Sequence, residues 1–595
     1  MILLILALLQ ASAPPPPPPP PPLPDSTPRL AYTLSVPPDR LAYTVELMIT
    51  HPPNPSRLVI PNWAPGAYRL MDSWQNISAF VAVDSTGAPL PVRQDSPISW
   101  VVDTRGARLI TVSYRAGLPD TVQWRRPNNR WYLRATSGVV DGPRTFMYLD
   151  GAKLLPAVLT FRLPPRWRVA TGLPTSDSVT YWAESYDVLI DSPAMLGSFL
   201  SYHFTAAGTP HRAVVDLVGE QAHASSVFVE MLRRIARAGI GIFGAAPYKD
   251  YTFIFVGGRG GGLEHLNSTT IGVTAQTLAR NPRGARSVSA HEFFHAWNVK
   301  RIRPIELGPF DYEHEVRTVN LWWSEGVTDY YADLILARSG LETPTDFARD
   351  IATSIGNHRD NPARLRVSPE RSSLTVWDSP AVNDSYVISY YLQGELLGLL
   401  LDLAIRDSTD NTKSLDDVMR RLADHYSGAH GFTRDDLVAS VRRATGHDFT
   451  DFWRRYVSGV EEIPWNDYLR AAGWEVVFTE EPAVDARIGS IPPAVQGGRW
   501  RAVASPGSAA AAAGLRTGDE LVRIDGRQII DGTDVTAAVR AARRDVPVEV
   551  AVVRDGQPLT IRFRAGSYQR VRARLRDLPA PTEKMRRIRA GLLRP

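Results

Sequence analysis

The stretch SVSAHEFFHAWNVKRIRP, Ser287 to Pro304, sets two imidazoles four residues apart with a carboxylate between them. On a helix, positions i and i+4 share a face, so His291 and His295 can aim at one ion. Glu292, beside them, can reach a water on that ion and act as its base. A catalytic zinc needs a third protein ligand and an open position. Downstream, LWWSEGVTDYY puts Glu325 among apolar and aromatic residues. An unpaired carboxylate is costly there, and a metal removes the cost. Asp329 lies four residues on, on the same face, where it can accept a hydrogen bond from a ligand histidine and fix its tautomer. The plainer reading is structural: a buried helix with two satisfied histidines, and an acid that meets a helix dipole.

The chain contains no cysteine, so any metal must be held by His, Asp or Glu, and thiolate and disulfide chemistry are excluded. Its 595 residues make several domains. A content of 44% hydrophobic and 22% charged residues is that of ordinary globular protein. The net charge of +5 is small for this length and gives no ground for nucleic-acid binding.

The elements that must position these residues follow from pattern. MILLILALLQASA reads as a signal peptide over residues 1–13, which implies export to the periplasm or beyond. A proline-rich spacer, residues 14–28, follows it. No other segment is apolar enough to span a bilayer. Residues 29–206 alternate in short apolar runs broken by Gly, Pro and Asp, the pattern of a β-sandwich-like domain. Residues 207–475 read as an α/β half and then a helical half, the segment that carries the metal motif. Short strands return over 476–566 around AAGLRTGDELVRIDG. The arginine-rich end, 567–595, reads as a basic tail, solvated or packed back on the body rather than a binding patch.

HEFFHAWNVKRIRP and WWSEGVTDYY resemble the glycyl aminopeptidase family of gluzincin metallopeptidases. PNWAPGAYRLMD, Pro61 to Asp72, is similar to that family's N-terminal β domain. The resemblance runs over nearly all of the chain after the proline spacer. It implies three domains: an N-terminal β domain, a thermolysin-like zinc peptidase domain and a C-terminal PDZ-like domain. It implies one zinc per chain on His291, His295 and Glu325. It also directs attention to GGGLEHLNS, Gly260 to Ser268. By that match Glu264 binds the free α-ammonium of a peptide, and Gly261 and Gly262 let the substrate backbone come close. SYYLQGELLGLLLD is similar to the helix on which such enzymes carry a tyrosine before x-x-Gly, which points to Tyr391 as the oxyanion donor. Tyr390 and Tyr386 stay open as alternatives.

The mechanism that follows has Glu292 take a proton from water and pass it to the leaving amine. The expected partners are peptides with a free N-terminus, with small first residues such as Gly or Ala. A thermolysin-like endopeptidase is the second reading, disfavoured by Glu264. A non-catalytic peptide-binding protein is the third, disfavoured by Glu292. PDZ domains take a peptide tail as an added strand. Here the presumed binding strand follows IGSIPP, whose Pro492 and Pro493 lack the N–H groups that pairing needs. Packing on the peptidase domain, or gating its cleft, stands beside tail capture.

Overall fold

The structure, a computed structural model, describes residues 27–117, 131–217, 223–258, 261–428, 430–491 and 498–594. The expected signal peptide, nearly all of the proline-rich spacer, Gly260, Pro492 and Pro493 lie outside the described residues. The chain forms two compact units. One takes in residues up to Ile60, Asn76–Gly117 and Leu133–Ser198; the other takes in Pro61–Gln75 and the chain from Phe199 onward.

The first unit is sheet-rich. Its largest sheet has six strands in the order Thr180–Ala183, Ala157–Arg162, Arg29–Ser35, Ala42–Thr50, Leu109–Gly117 and Ile77–Asp84. The period-2 pattern decides which side is core: along Ala42–Thr50, Tyr43, Val45, Leu47 and Ile49 are buried.

The second unit opens with one strand that the sequence pattern assigned to the β domain and a second that it assigned to the next domain. β1 (Leu200–Ala206) and β2 (Thr209–Asp216) belong to the peptidase sheet, so the expected boundary at 206 falls between two paired strands. β3 (Tyr251–Gly257), β4 (Gly262–Glu264) and β5 (Ser268–Val273) complete it in the order β1-β2-β3-β5-β4. β3 is buried almost end to end, as an apolar run broken only by Thr252 in a central strand must be. β4 is the short antiparallel edge, with Glu264 opposite Thr269.

α1 (Ser226–Phe243) and α2 (Arg286–Phe294) pack on this sheet. Phe293 of α2 meets Tyr251 and Phe253 at ring distances of 5.1 and 5.8 Å. Trp297 stacks on Phe243 at 4.8 Å, and Phe294 stacks on Tyr331 at 4.3 Å. These aromatic anchors fix the rotation of the helix that carries the two histidines.

The helical half contains α3 (Val327–Arg338), α4 (Pro344–Asp360) and α5 (Tyr390–Ser408). A π-helical turn, Trp322–Gly326, runs straight into α3. It crosses α5 where two glycines meet. A Cβ on Gly326 would stand 2.5 Å from Gly394 Cα and 2.7 Å from the Tyr391 carbonyl oxygen. Glycine at both positions lets the backbones touch, and this contact sets Glu325 near Tyr391.

The PDZ-like fold has its own core of residues such as Leu521, Val550 and Ile561, under a sheet whose end strand is Ile488–Ile491. Tyr386 and Val387 of the peptidase part and Arg487, Val503 and Ser505 of the PDZ-like part line one solvent-open cleft of ≈ 580 Å³. Two long strands connect this fold to the peptidase. β6 (Trp474–Asp485) pairs antiparallel with β7 (Gly566–Asp577) along all of its length.

Residues 567–595 are therefore not a solvated tail: they form a strand and a helix that pack back on the body. β7 alternates, and its arginines meet acids on β6: Arg572 with Glu481, and Arg576 with Glu475 at 3.1 Å. Read as composition, that alternation looks like a solvated basic run; read as period 2, it is a strand. α6 (Glu583–Leu593) then buries Ile588 and Leu592 in the peptidase core. Leu592→Ala should cost about 2–5 kcal/mol, the usual cost of truncating a buried leucine. Denaturant unfolding checks this; a solvated tail would leave the midpoint unchanged.

Candidate active site

The two histidines lie on the last turn of α2 and at its C-cap, and Glu325 comes from the π turn. Their donor atoms face one another. His291 Nε2 and His295 Nε2 are 3.0 Å apart, and they stand 3.5 and 3.3 Å from Glu325 Oε2. Three donors each about 2.0–2.1 Å from a tetrahedral zinc would be about 3.3 Å apart, so the triangle has the right size.

The ring nitrogens on the far side are fixed by acceptors. His291 Nδ1 donates to Asp329 Oδ1 at 2.7 Å, and His295 Nδ1 donates to the Asn298 carbonyl at 2.7 Å. A carbonyl can only accept, so His295 carries its proton on Nδ1 and presents a lone pair at Nε2. Whatever lies between these two nitrogens and the Glu325 carboxylate must bring positive charge, as a proton or as a metal cation. The residues present thus fit a divalent ion. The charges agree. Burial opposes a second proton on His291, but Asp329 and Glu325 outweigh it and hold the imidazole well above its ordinary value. At Glu325 burial opposes the charge, and the two histidines outweigh it and hold the carboxyl well below its ordinary range. Glu325 is 2% exposed, and its Oε1 makes no hydrogen bond to any described residue.

Asn298 ties the two sources of donors together. Its carbonyl orients His295, and its side-chain Nδ2 donates to the carbonyls of Trp323 and Ser324 at 2.9 and 3.3 Å and to Thr328 Oγ1 at 3.0 Å. Arg301, three residues on, binds the Leu266 carbonyl and Asn267 Oδ1, just past Glu264. The WNVKRIRP segment is thus a clamp on the π turn and on the loop that follows β4.

The other sequence-predicted residues gather at the same place. Oxygens of Glu264 and Glu292 and a nitrogen of His295 lie within 4.8 Å of one another. Gly262 lies so close to Glu292 that a Cβ there would overlap its carboxyl, and Gly261 takes a φ of +72° that favours glycine. Glu264 is 4% exposed, and its Oε1 has no hydrogen-bond partner among the described residues. Tyr391 stacks on His291 at 6.0 Å, and Tyr390 stacks on Tyr391 at 4.9 Å. Burial and then the Glu325 carboxylate hold the Tyr391 hydroxyl well above its ordinary value, so it stays a donor. Tyr386 is 36% exposed, in the turn before α5.

Two further residues come from a distant segment. Gly66 has a φ of +89°, and a Cβ there would stand 2.7 Å from Glu264 Oε2 and 2.8 Å from its carboxyl carbon. Tyr68 is buried with a φ of +33°. Burial, then the carboxylates of Glu325 and Glu264, raise its hydroxyl well above the ordinary value, and a hydrogen bond to Glu325 adds to this. Trp63 anchors the segment by donating Nε1–H to the Asp311 carbonyl at 2.6 Å. In the sequence only the unusual clustering of Gly, Pro and aromatics in PNWAPGAYRLMD marks it.

Comparison with known proteins gives three family matches. Residues 284–397 match the M61 glycyl aminopeptidase model, residues 31–198 the peptidase M61 N-terminal domain and residues 499–564 a PDZ domain. No curated protein sequence matches the chain. Among solved structures, an aminopeptidase N family protein from Idiomarina loihiensis is 25% identical with a TM-score of 0.78, over 95% of this chain and 100% of that one. The M1 zinc metallopeptidase of Deinococcus radiodurans is more distant, at 16% identity and a TM-score of 0.47 over 73% of this chain and 94% of that one.

Asn298→Ala should cost stability of about 1–3 kcal/mol, because it strands buried carbonyls of the π turn. It should also weaken zinc binding by about 10–100-fold, because the side chain that holds the turn carrying Glu325 is lost while the carbonyl on His295 remains. Competition with a chromogenic chelator measures the second effect.

Proposed function

We propose that this chain, whose peptidase and N-terminal domains are those of the M61 glycyl aminopeptidases, is a zinc-dependent aminopeptidase that removes small first residues, Gly or Ala, from peptides. The observation that carries this reading is the pairing of two charge demands in one place. His291, His295 and Glu325 form a donor triangle for a divalent ion, and the buried Glu264 carboxylate stands beside it with an oxygen to spare.

His291, His295 and Glu325 would hold the zinc. When bound, the ion supplies Lewis acidity for an amide carbonyl and makes water a nucleophile at neutral pH. Glu292 takes the proton of that water at its carboxylate and delivers it to the leaving amine nitrogen. The Tyr391 hydroxyl, held protonated, donates to the oxygen on which negative charge builds. Glu264 takes the substrate's α-ammonium and so fixes which peptide bond is first. Gly262 supports this reading, because its lack of a side chain lets the Glu292 carboxyl stand directly against the β4 edge that carries Glu264. Asp329 and Asn298 hold the histidine tautomers that ligation requires. Export of the mature chain, and a protein ligand for the PDZ-like domain, belong to the same proposal.

The test is hydrolysis of Gly- and Ala-anilides by the zinc-loaded protein. Activity should vanish with a chelator and return with zinc. Glu292→Gln should lower kcat by about 10²–10⁴-fold, the range expected for a positioned proton-transfer group, with zinc content unchanged. Equal inactivity of wild type and Glu292→Gln on every peptide would leave a binding protein instead. Glu264→Gln should raise KM for unblocked peptides by about tenfold or more, the loss of one charge-assisted hydrogen bond. Wild-type activity on N-blocked peptides equal to that on unblocked ones would make the protein an endopeptidase.

A further inference from the structure

Glu264 is held from two sides. On one side β4 carries it along the sheet edge, paired with Thr269. On the other side stands Gly66, more than half the peptidase part away in sequence, with its backbone against both carboxyl oxygens. The Cβ test is decisive here. Any side chain at 66 would overlap Glu264 Oε1 and reach within 2.7 Å of Oε2, and the φ of +89° is itself one that L side chains resist.

The segment is built to hold this position. Trp63 is fully buried and packs edge-on to Trp377 at 5.4 Å, with its indole N–H on the Asp311 carbonyl. The Asn62 N–H donates to the Tyr312 carbonyl at 2.8 Å. Tyr68 packs edge-on to Trp377 at 6.5 Å while its backbone sits at a φ of +33°. A bulky residue in that region is held there only by its surroundings, and such strain clusters at working sites. The segment lies within the N-terminal-domain family match, yet it packs as part of the unit that holds the peptidase.

We propose that Pro61–Asp72 is the end wall of the amine subsite, with Gly66 as the positioning residue that sets where the Glu264 carboxylate stands. This rests on Glu264 binding the substrate ammonium. A peptide whose amine has reached Glu264 meets the Gly66 backbone next. A residue added before that amine would run against this backbone, so the wall, as well as the charge, restricts cleavage to the first bond.

The test uses the full-length zinc-loaded protein and two small probes that differ in the amine: glycine hydroxamate and acetohydroxamate. Dissociation constants are measured by calorimetry for wild type, Gly66→Ala, Glu264→Asp and the double variant. Gly66→Ala should weaken glycine hydroxamate by about tenfold or more and leave acetohydroxamate unchanged, since only the first probe needs the carboxylate. In the Glu264→Asp background the shortened acid leaves room for the added methyl, and the Gly66→Ala effect should fall below about threefold, the non-additivity of a direct contact. Equal weakening of both probes, or full additivity in the double variant, overturns the wall. If Glu264→Gln leaves glycine hydroxamate no weaker relative to acetohydroxamate, the amine-subsite reading itself is wrong and the inference goes with it. Should Gly66→Ala fail to fold, amide hydrogen exchange on wild type decides. Residues 61–72 should slow with glycine hydroxamate alone; the same exchange with both probes overturns the proposal.

Discussion

Asn298 holds both halves of the donor set with one carbonyl and one side-chain nitrogen. The carbonyl points at His295 Nδ1 and leaves its Nε2 bare. The nitrogen points at the π turn and keeps Glu325 at the height of the two imidazoles. A turn of π-helix is a weak element on its own, because its hydrogen bonds are stretched over one extra residue. It persists because Asn298 clamps one side and the Gly326–Gly394 crossing fits the other. Loosening that clamp would move Glu325 relative to α2 and relative to Tyr391 together.

Around this clamp the protein concentrates negative charge. Glu264, Glu292, Glu325 and Asp329 surround the two histidines. In a buried place such an excess must be met by cations. On the function proposed above, a divalent ion would meet one part and a substrate ammonium the other. The arrangement therefore couples the two: each cation lowers the cost of keeping the carboxylates that the other one leaves exposed to mutual repulsion.

Much of this was legible in the chain. The spacing of His291 and His295 states a shared helix face, and Glu325 in an apolar run states a buried carboxylate that needs a partner. The glycine three residues after Tyr391 proves to be the crossing point of two helices. Other features were not legible for physical reasons. A π turn differs from an α turn by one residue and leaves no period to read. Gly66 meets Glu264 across nearly 200 positions, through backbone and not through a side chain, so no local pattern announces it. The arginines of β7 hid a strand because their charge is more conspicuous than their alternation. The expected boundary at 206 falls inside the β1–β2 hairpin, whose pattern is that of any hairpin; only the partner β3 assigns it to a sheet.

The ribbon of β6 and β7 changes how the PDZ-like fold should be regarded. The chain leaves the peptidase along one strand and returns along its neighbour, then spends α6 on the peptidase core. The module is an insertion in a hairpin and not an appendage. During synthesis it has been made, with a core of its own, before the last helix of the peptidase exists. The core that holds the two histidines is therefore completed by a helix synthesised after the inserted module.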